Sequence, residues 1–203
     1  TKDVKLSKLL HSLAHCILED RQTLLMYGET GVGKSYLAEK IHNISKRQEK
    51  PFVSFSCGGL NETSIIANIF GAKKGSFTGA INEIKGKIRT AEGGTLFIDE
   101  IDRAPRIVRD KLLVFLETKK FQPLGFDDDI YADVRLLIGT NQDLIKLIEN
   151  EQFEEDLYYR IAKRVFEIPP LRKRKVDLPL IINWRLNEYN EQNNQRLKID
   201  ENA

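Results

Sequence analysis

The sequence predicts an α/β fold in which helices cover both faces of a parallel β-sheet. Short, continuously apolar segments alternate with segments whose apolar residues recur at helical spacing. This alternation is typical of buried parallel strands joined by helical crossovers. The motif GETGVGKS, residues 28–35, falls between one such strand and the next helix. The length of 203 residues suffices for one substantial domain, or for one domain and part of another.

Five segments have the composition of buried strands, rich in branched and aromatic side chains. They are residues 23–27, 51–57, 94–100, 133–141 and 165–171. The last contains a proline pair, which cannot donate to a sheet ladder and therefore ends the strand. We expect these segments to form a five-stranded parallel sheet.

Helical segments lie between and after these strands. Apolar spacing predicts helices at residues 4–18, 35–46, 62–70, 107–117 and 144–149, and a further helix after residue 177. A glycine-rich segment, residues 71–86, interrupts this pattern. The polar tail from residue 190 is expected to fray or to continue into further sequence. Because the chain starts without Met, we expect it to be a piece of a longer protein.

Composition narrows the class of protein. Charged residues make up 31% of the chain and the net charge is +2, which argues against attraction of the whole surface to nucleic acid or membrane. No apolar run approaches the ~20 residues of a membrane span. Cys16 and Cys57 are the only cysteines, and free thiols in a reducing cytosol are the simplest interpretation. We therefore expect a cytoplasmic protein without a membrane partner.

The glycine-rich motif indicates a phosphate-binding loop. In a G-x-x-x-x-G-K-[ST] loop at a helix N-terminus, backbone N–H groups surround phosphates, the lysine reaches the β- and γ-phosphates and the hydroxyl binds Mg²⁺. An ordinary glycine-rich turn is the alternative, but the position between a strand and a helix favours phosphate binding. The candidate residues are Gly28, Glu29, Thr30, Gly31, Val32, Gly33, Lys34 and Ser35.

Two carboxylates follow the third predicted strand. Asp99 can hold Mg²⁺ directly or through water, and Glu100 can act as the general base that polarises the attacking water. Solvated loop acids would be the usual interpretation of such a pair. Their combination with a phosphate loop upstream instead favours ATP hydrolysis.

Two further polar residues are catalytic candidates. Asn141 follows the fourth predicted strand, where its amide could position water or contact the γ-phosphate, although it could also belong to a common turn. Arg160, in FEEDLYYRI, could stabilise transition-state charge from a neighbouring subunit. It could equally form a surface ion pair, and its spacing in the sequence does not separate these roles.

The order of the motifs resembles that of one protein family. GETGVGKS, GGTLFIDEI, DVRLLIGTNQDL, FEEDLYYRI and IPPLRKRKVDLPL are similar to the central AAA+ domain of bacterial enhancer-binding proteins, the activators of sigma-54 RNA polymerase. GSFTGA, residues 75–80, resembles the GAFTGA loop, which is close to diagnostic of that family. The resemblance extends from about residue 6 to residue 180.

The resemblance implies an AAA+ P-loop NTPase fold, a three-layer αβα sandwich with a truncated helical lid. Residues 1–176 would form the α/β nucleotide-binding subdomain and residues 177–203 the start of the lid. ATP and Mg²⁺ would be the cofactors, and the chain would assemble as a homo-oligomeric ring, a hexamer or a heptamer. Phe77 and Thr78 would contact sigma-54 and couple hydrolysis to remodelling of the closed complex. DNA would bind through a separate domain outside this chain.

Several positions depart from the family pattern. Ser56 stands where the family usually has the Asn that holds the catalytic glutamate, and Glu154 stands where it usually has an Arg near the subunit interface. Arg89 replaces a frequent Glu, and Ala72 and Lys73 replace a His-Glu pair. Two alternatives therefore stay open: a nucleotide-binding regulatory switch with weak hydrolysis, and a remodeller of another target, which the intact GSFTGA disfavours. The RKRK run, residues 172–175, occupies a turn where the family's arginines face nucleotide or a neighbouring subunit rather than DNA.

Overall fold

A computed structural model describes residues 22–77 and 80–198 of the chain. Its centre is a sheet of five parallel strands, namely β1 (Leu24–Tyr27), β2 (Phe52–Ser56), β3 (Thr95–Asp99), β6 (Arg135–Thr140) and β7 (Val165–Glu167). In the sheet they lie in the order β2-β3-β6-β1-β7. The predicted five-stranded parallel sheet is therefore confirmed. A separate antiparallel pair consists of β4 (Lys120–Phe121) and β5 (Ile130–Tyr131).

Seven α-helices connect and follow the strands within the described ranges. They are α1 (Lys34–Asn43), α2 (Glu62–Phe70), α3 (Lys87–Thr90), α4 (Arg106–Thr118), α5 (Leu144–Glu149), α6 (Glu155–Ile161) and α7 (Leu178–Asn193). Side-chain caps fix two of the starts: Asn61 Oδ1 accepts a hydrogen bond from Ser64 N at 2.8 Å, and Asp143 Oδ1 accepts one from Ile145 N at 3.2 Å. The helix predicted over residues 4–18 lies outside the described residues.

The core consists of two apolar layers, one on each face of the sheet. Successive residues of a strand face opposite sides, so Leu24 and Met26 pack with α1 through Ala38 and Ile41. Leu25 belongs to the other layer, which α2, α4 and α6 cover. Helices thus enclose the sheet from both sides, and the predicted three-layer αβα sandwich is confirmed. Within the described ranges, no helix combines the length and apolar composition that a membrane crossing requires.

The fifth predicted strand is shorter than expected. It ends at Glu167, and Leu171–Lys173 forms a 3₁₀ turn. The cause is the pair Pro169-Pro170, which supplies no N–H groups for a ladder. This turn, together with a second 3₁₀ turn at Lys175–Asp177, leads directly into α7.

The glycine-rich segment forms a loop whose two ends touch. Ala72 and Ile84 exchange backbone hydrogen bonds of 2.9 and 2.8 Å. A Cβ atom added at Gly86 would lie 2.6 Å from Gly71 N, and both glycines have positive φ, 95° for Gly71 and 79° for Gly86. Only glycine fits such a crossing without strain. The loop therefore leaves and rejoins the fold at one point.

Candidate active site

The phosphate loop lies between β1 and α1, as the motif requires. Gly31 and Gly33 have φ values of 82° and 100°, a conformation that turns backbone N–H groups inward and that side chains resist. The Lys34 side chain is buried, and its Nζ donates to Gly28 O at 2.9 Å and to Glu29 O at 3.3 Å. The ammonium group is therefore held inside the loop, while Ser35 is exposed.

Asp99 lies at the carboxyl end of β3, beside the phosphate loop. Burial raises the pKa of its carboxyl, and the Lys34 ammonium is the largest opposing influence. Its Oδ1 accepts a hydrogen bond from Glu100 N at 2.9 Å. Gly139 on β6 leaves room for this carboxylate, because a Cβ there would lie 2.3 Å from Asp99 Oδ1.

The donor set at this point fits a magnesium ion. Ser35 offers a hydroxyl oxygen and Asp99 a carboxylate, and Mg²⁺ in phosphate sites uses one or two carboxylates with phosphate oxygens and water. Among the described residues, no group of three or more His, Cys, Asp or Glu side chains could hold a metal ion alone. Ser35 and Asp99 would supply two oxygen ligands and leave the other coordination positions to phosphate oxygens and water.

Glu100 is held in a defined position by Ser56. Ser56 Oγ donates to Glu100 Oε2 at 3.0 Å and accepts from Gly58 N at 3.2 Å. Glu100 has a left-handed backbone, with φ 56° and ψ 45°, and Arg103 Nε lies 3.8 Å from Oε1. Serine thus makes the contact expected of an asparagine at this position. A Cβ atom at position 58 would lie 1.9 Å from Glu100 Oε2. The contact between Ser56 and Glu100 therefore depends on glycine at this position.

Asn141 faces the phosphate loop from the end of β6. Its Nδ2 donates to Thr30 Oγ1 at 3.1 Å, and its buried Oδ1 has no hydrogen-bond partner within the described residues. The preceding Thr140 is fully buried and donates to Asp102 Oδ1 at 2.6 Å. This bond ties the end of β6 to the turn that follows Glu100. Asn141 therefore presents a free acceptor beside the loop.

A cavity of ≈ 870 Å³ opens between the phosphate loop and α7. Tyr36 of α1 and Trp184 of α7 meet across it, with ring centroids 5.3 Å apart. Arg172 forms a bidentate pair with Glu29, at 2.7 Å for Nη1 to Oε2, and this pair lowers the pKa of the Glu29 carboxyl. Arg174 Nη2 donates to Val32 O at 3.0 Å. Both arginines of the RKRK run thus hold the phosphate loop.

Arg160 lies away from the phosphate loop of its own chain. It lines a groove with Thr23, which precedes β1, whereas the phosphate loop follows β1. Its Nη2 donates to Glu117 on α4 at 2.5 Å, and both side chains are partly exposed. The structure thus separates Arg160 from the other predicted catalytic residues.

Glu154 forms an ion pair within the chain. Its Oε2 lies 2.8 Å from Arg109 Nε, its Oε1 accepts from Arg109 Nη2 at 3.1 Å, and Arg106 Nε lies 3.7 Å from Oε1. Arg109 is only 8% exposed and lies over the Phe153 ring at 4.9 Å. The acid at this position therefore balances a buried cation from α4.

Phe77 lies half-buried in the glycine-rich loop, and Thr78 lies outside the described residues. Ala80 N donates to Phe77 O at 3.0 Å. The loop packs against the segment between β4 and β5: Lys73 N donates to Leu124 O at 2.8 Å. A Cβ at Gly125 would lie 2.8 Å from Ser76 Cβ.

Some site residues carry no motif signal. Gly58 and Asp102 were not predicted, because their roles depend on contacts with Glu100 and Thr140 that only the folded chain creates. Tyr36 and Trp184 were not predicted either, since 148 positions separate them in the sequence (184 − 36). The one relevant sequence feature is Tyr36, an aromatic residue directly after the phosphate loop.

The fold and the site define this chain as an AAA+ P-loop NTPase domain. The model of the sigma-54 interaction domain family matches residues 1–168, and the chain belongs to this family. It is 40% identical over 190 residues to a Nif-specific regulatory protein of Rhizobium meliloti (strain 1021), covering 94% of the chain and 35% of that protein. It is also 40% identical over 178 residues to the transcriptional regulatory protein GlrR of Escherichia coli (strain K12), covering 88% and 40%.

A solved structure agrees with this assignment. NtrX from Brucella abortus in complex with ATP has a TM-score of 0.87 and 25% identity, covering 99% of this chain and 43% of that one. The chain spans 35% and 40% of the two curated relatives. It thus corresponds to one part of larger regulatory proteins.

Proposed function

We propose that this domain hydrolyses MgATP at the interfaces of a homo-oligomeric ring and uses the energy to remodel the closed complex of sigma-54 RNA polymerase. One observation carries the proposal. Lys34, Asp99, Glu100 and Asn141 lie at the carboxyl ends of neighbouring strands β1, β3 and β6, around one phosphate loop. Membership of the sigma-54 interaction domain family and the ATP complex of NtrX support the partner and the nucleotide.

The residues divide the chemistry among them. Backbone N–H groups of residues 28–35 and the Lys34 ammonium bind phosphate, so Lys34 exchanges the carbonyls of Gly28 and Glu29 for phosphate oxygens. Ser35 and Asp99 would hold Mg²⁺, which neutralises charge that develops on the phosphate oxygens. The base and ribose would occupy the cavity beside Tyr36, where aromatic rings can stack on a purine.

Glu100 is the proposed general base. It accepts a proton from the attacking water, and Asn141 Oδ1 accepts the second hydrogen bond of that water. Glu100 accepts a hydrogen bond from Ser56, and its side chain must leave this contact to reach the water. Arg160 would stabilise transition-state charge at the site of a neighbouring copy, because it lies beside Thr23 at the amino end of β1 and away from its own phosphate loop.

The remaining assignments rest on family membership. Phe77 and Thr78 would contact sigma-54, residues 1–176 would form the nucleotide-binding subdomain, and residues 177–203 would start the lid. DNA would bind through a separate domain, and the ring would be a hexamer or a heptamer. Because RNA polymerase is the proposed partner, the cytoplasm is the proposed location.

A regulatory switch with weak hydrolysis is the second candidate. The contact of Glu100 with Ser56 and that of Arg160 with Glu117 both favour it, since each withholds a catalytic side chain. In this case ATP would control assembly, and turnover would be negligible.

Nucleotide binding and turnover of the full-length protein test the proposal. Lys34→Ala should abolish ATP binding, whereas Glu100→Gln should bind ATP and lose turnover. Specific activity should rise steeply with protein concentration, because each site needs a neighbour. Turnover that persists in Glu100→Gln would refute the role of this residue. Flat, negligible turnover with measurable ATP binding would favour the switch.

The partner is tested separately. Sigma-54 should co-sediment with the full-length protein in the presence of a transition-state analogue of ATP hydrolysis. Phe77→Ala should abolish this capture and leave basal ATP turnover intact. Equal capture by the variant and the wild type would contradict the proposed contact.

A further inference from the structure

The side chain of Arg174 joins the phosphate loop to the segment between β7 and α7. Only 13% of this side chain is exposed. Its Nη2 donates to Val32 O and its Nε donates to Pro169 O, both at 3.0 Å. Its Nη1 lies 3.9 Å from Oδ2 of Asp177, a buried residue directly before α7. One guanidinium group therefore connects the main chain of the phosphate loop with the main chain that follows the sheet.

Arg172 contacts the same loop in a different way. It pairs with the side chain of Glu29, and both side chains are more than half exposed. Exposed ion pairs contribute little to a defined geometry, because solvent competes for both partners. Arg174 is largely shielded from solvent and bonds to a backbone carbonyl. Of the two arginines, Arg174 is therefore the one that constrains the backbone of the loop.

The carbonyl that Arg174 binds belongs to the peptide between Val32 and Gly33. In a planar trans peptide the C=O and N–H groups point in opposite directions. Because glycine adopts positive and negative φ about equally well, this peptide could rotate unless a partner holds its carbonyl. With Val32 O held by Arg174, the Gly33 N–H points to the other side of the peptide. In a loop of this kind, inward-pointing N–H groups are the ones that bind phosphate.

We infer that Arg174 is a positioning residue for phosphate binding, which holds the Val32 carbonyl so that the Gly33 N–H faces the phosphates of the bound nucleotide. The inference rests on the proposed function and adds to it a residue outside the phosphate-loop motif. Arg174 acts through the peptide and does not itself need to touch the nucleotide.

Anchoring of α7 is the competing role for the same side chain. If Arg174 served only to hold Asp177, its loss would displace α7, which lines the cavity with Trp184. Binding of the base would then suffer, because the base is proposed to occupy this cavity. The two roles therefore differ in which part of a nucleotide loses affinity.

Nucleotide titrations with the full-length protein separate these roles. Arg174→Met keeps an apolar stem and removes every donor of the guanidinium group. It should weaken the binding of ATP, ADP and inorganic tripolyphosphate by about 10-fold each, as expected when a charged hydrogen-bond donor is lost. Binding of adenosine, which has no phosphate, should be unchanged. Competition against a fluorescent ADP analogue gives the dissociation constants.

Two companion variants complete the design. Lys175→Met removes a charge from the same run at an exposed position and should match the wild type. Arg174→Met/Asp177→Asn removes the buried pair as a unit, so that no unpaired carboxylate remains. It should show the same 10-fold losses, and it takes the place of Arg174→Met if thermal unfolding shows that the single variant does not fold.

Three results would overturn the inference. Unchanged affinity for ATP, ADP and tripolyphosphate in a folded variant would show that the Val32 carbonyl needs no donor. A loss for adenosine with unchanged binding of tripolyphosphate would assign Arg174 to the anchoring of α7. A wild type that binds none of the phosphate ligands would overturn both the inference and the proposed function. A wild type that binds ATP without turnover would overturn the proposed hydrolysis alone, since the inference concerns phosphate binding.

Discussion

Replacing Glu154 by the arginine that the family pattern favours should destabilise the fold. The substitution removes the carboxylate that contacts Arg109 at 2.8 and 3.1 Å. It also brings a third guanidinium next to Arg109 and Arg106, the latter 3.7 Å from the present carboxylate. Removing one partner of a buried ion pair costs ~3–5 kcal/mol. Because 20% of the Glu154 side chain is exposed, we expect a loss near the lower end, about 3 kcal/mol.

Thermal and urea unfolding measure this loss. For a domain of this size, 3 kcal/mol corresponds to a fall in Tm of roughly 6–12 °C. The charge swap Glu154→Arg/Arg109→Glu should recover most of it, because the pair is re-formed in reverse. Glu155→Arg, at the next and exposed position, is the matched control and should cost only ~0.3–1 kcal/mol through the helix dipole.

An unchanged stability of Glu154→Arg would refute the reasoning. A Tm within about 2 °C of the wild type would mean that the new arginine turns to solvent at little cost. Failure of the charge swap to recover stability would show that the pair itself contributes little. If the prediction holds, restoring the family arginine alone cannot create an interface arginine, since its surroundings on α4 are already cationic.

Three further predictions concern the site and the core. Asp99→Asn should stabilise the nucleotide-free chain at neutral pH, because burial raises the folded-state pKa of Asp99. The protonated carboxyl contributes stability below the unfolded-state pKa, and this contribution is lost as the pH rises through the folded-state pKa. The Tm difference between wild type and variant should therefore shrink towards low pH in calorimetry. Gly58→Ala should raise turnover, because the added Cβ would displace Glu100 Oε2 from Ser56 and release the proposed base. An increase of about 10-fold would match the loss of one hydrogen bond to a charged group, ~1.5 kcal/mol, with ATP affinity retained in a nucleotide titration. Phe97→Ala, at a fully buried position, should cost ~3–5 kcal/mol in urea unfolding, whereas Tyr131→Ala, at a position 63% exposed, should cost far less.

The central sheet could be predicted because each of its strands is a short apolar segment rich in branched and aromatic side chains. The helix predicted at residues 62–70 has the bounds Glu62–Phe70, and residues 144–149 form Leu144–Glu149, since each begins at an Asn or Asp cap. The pair β4–β5 was missed because two residues per strand are too few for a period. The length of β7 was overestimated, because the apolar run continues into a segment whose prolines cannot donate hydrogen bonds to the sheet.

The phosphate loop, Asp99, Glu100 and Asn141 could be placed at one edge of the sheet because parallel strands bring their carboxyl ends together. The partners of these residues could not be predicted. The contact between Ser56 and Glu100, and that between Arg109 and Glu154, join side chains from different elements. The sequence at residue 154 indicated only that the arginine of the family pattern is absent. The fold shows that Glu154 forms an ion pair with Arg109 on a neighbouring helix.

The closed base of the glycine-rich loop makes this segment modular. Since Gly71 and Gly86 touch, the fourteen residues between them (86 − 71 − 1) are inserted at one point of the chain and do not form a span between two strands of the sheet. Doubling the length of such a loop costs only ~0.6 kcal/mol in closure entropy. A shortened, lengthened or transplanted tip would leave the strands and the phosphate loop in register. The part of the chain that is proposed to meet sigma-54 can therefore diverge while the part that is proposed to hold the nucleotide stays constant.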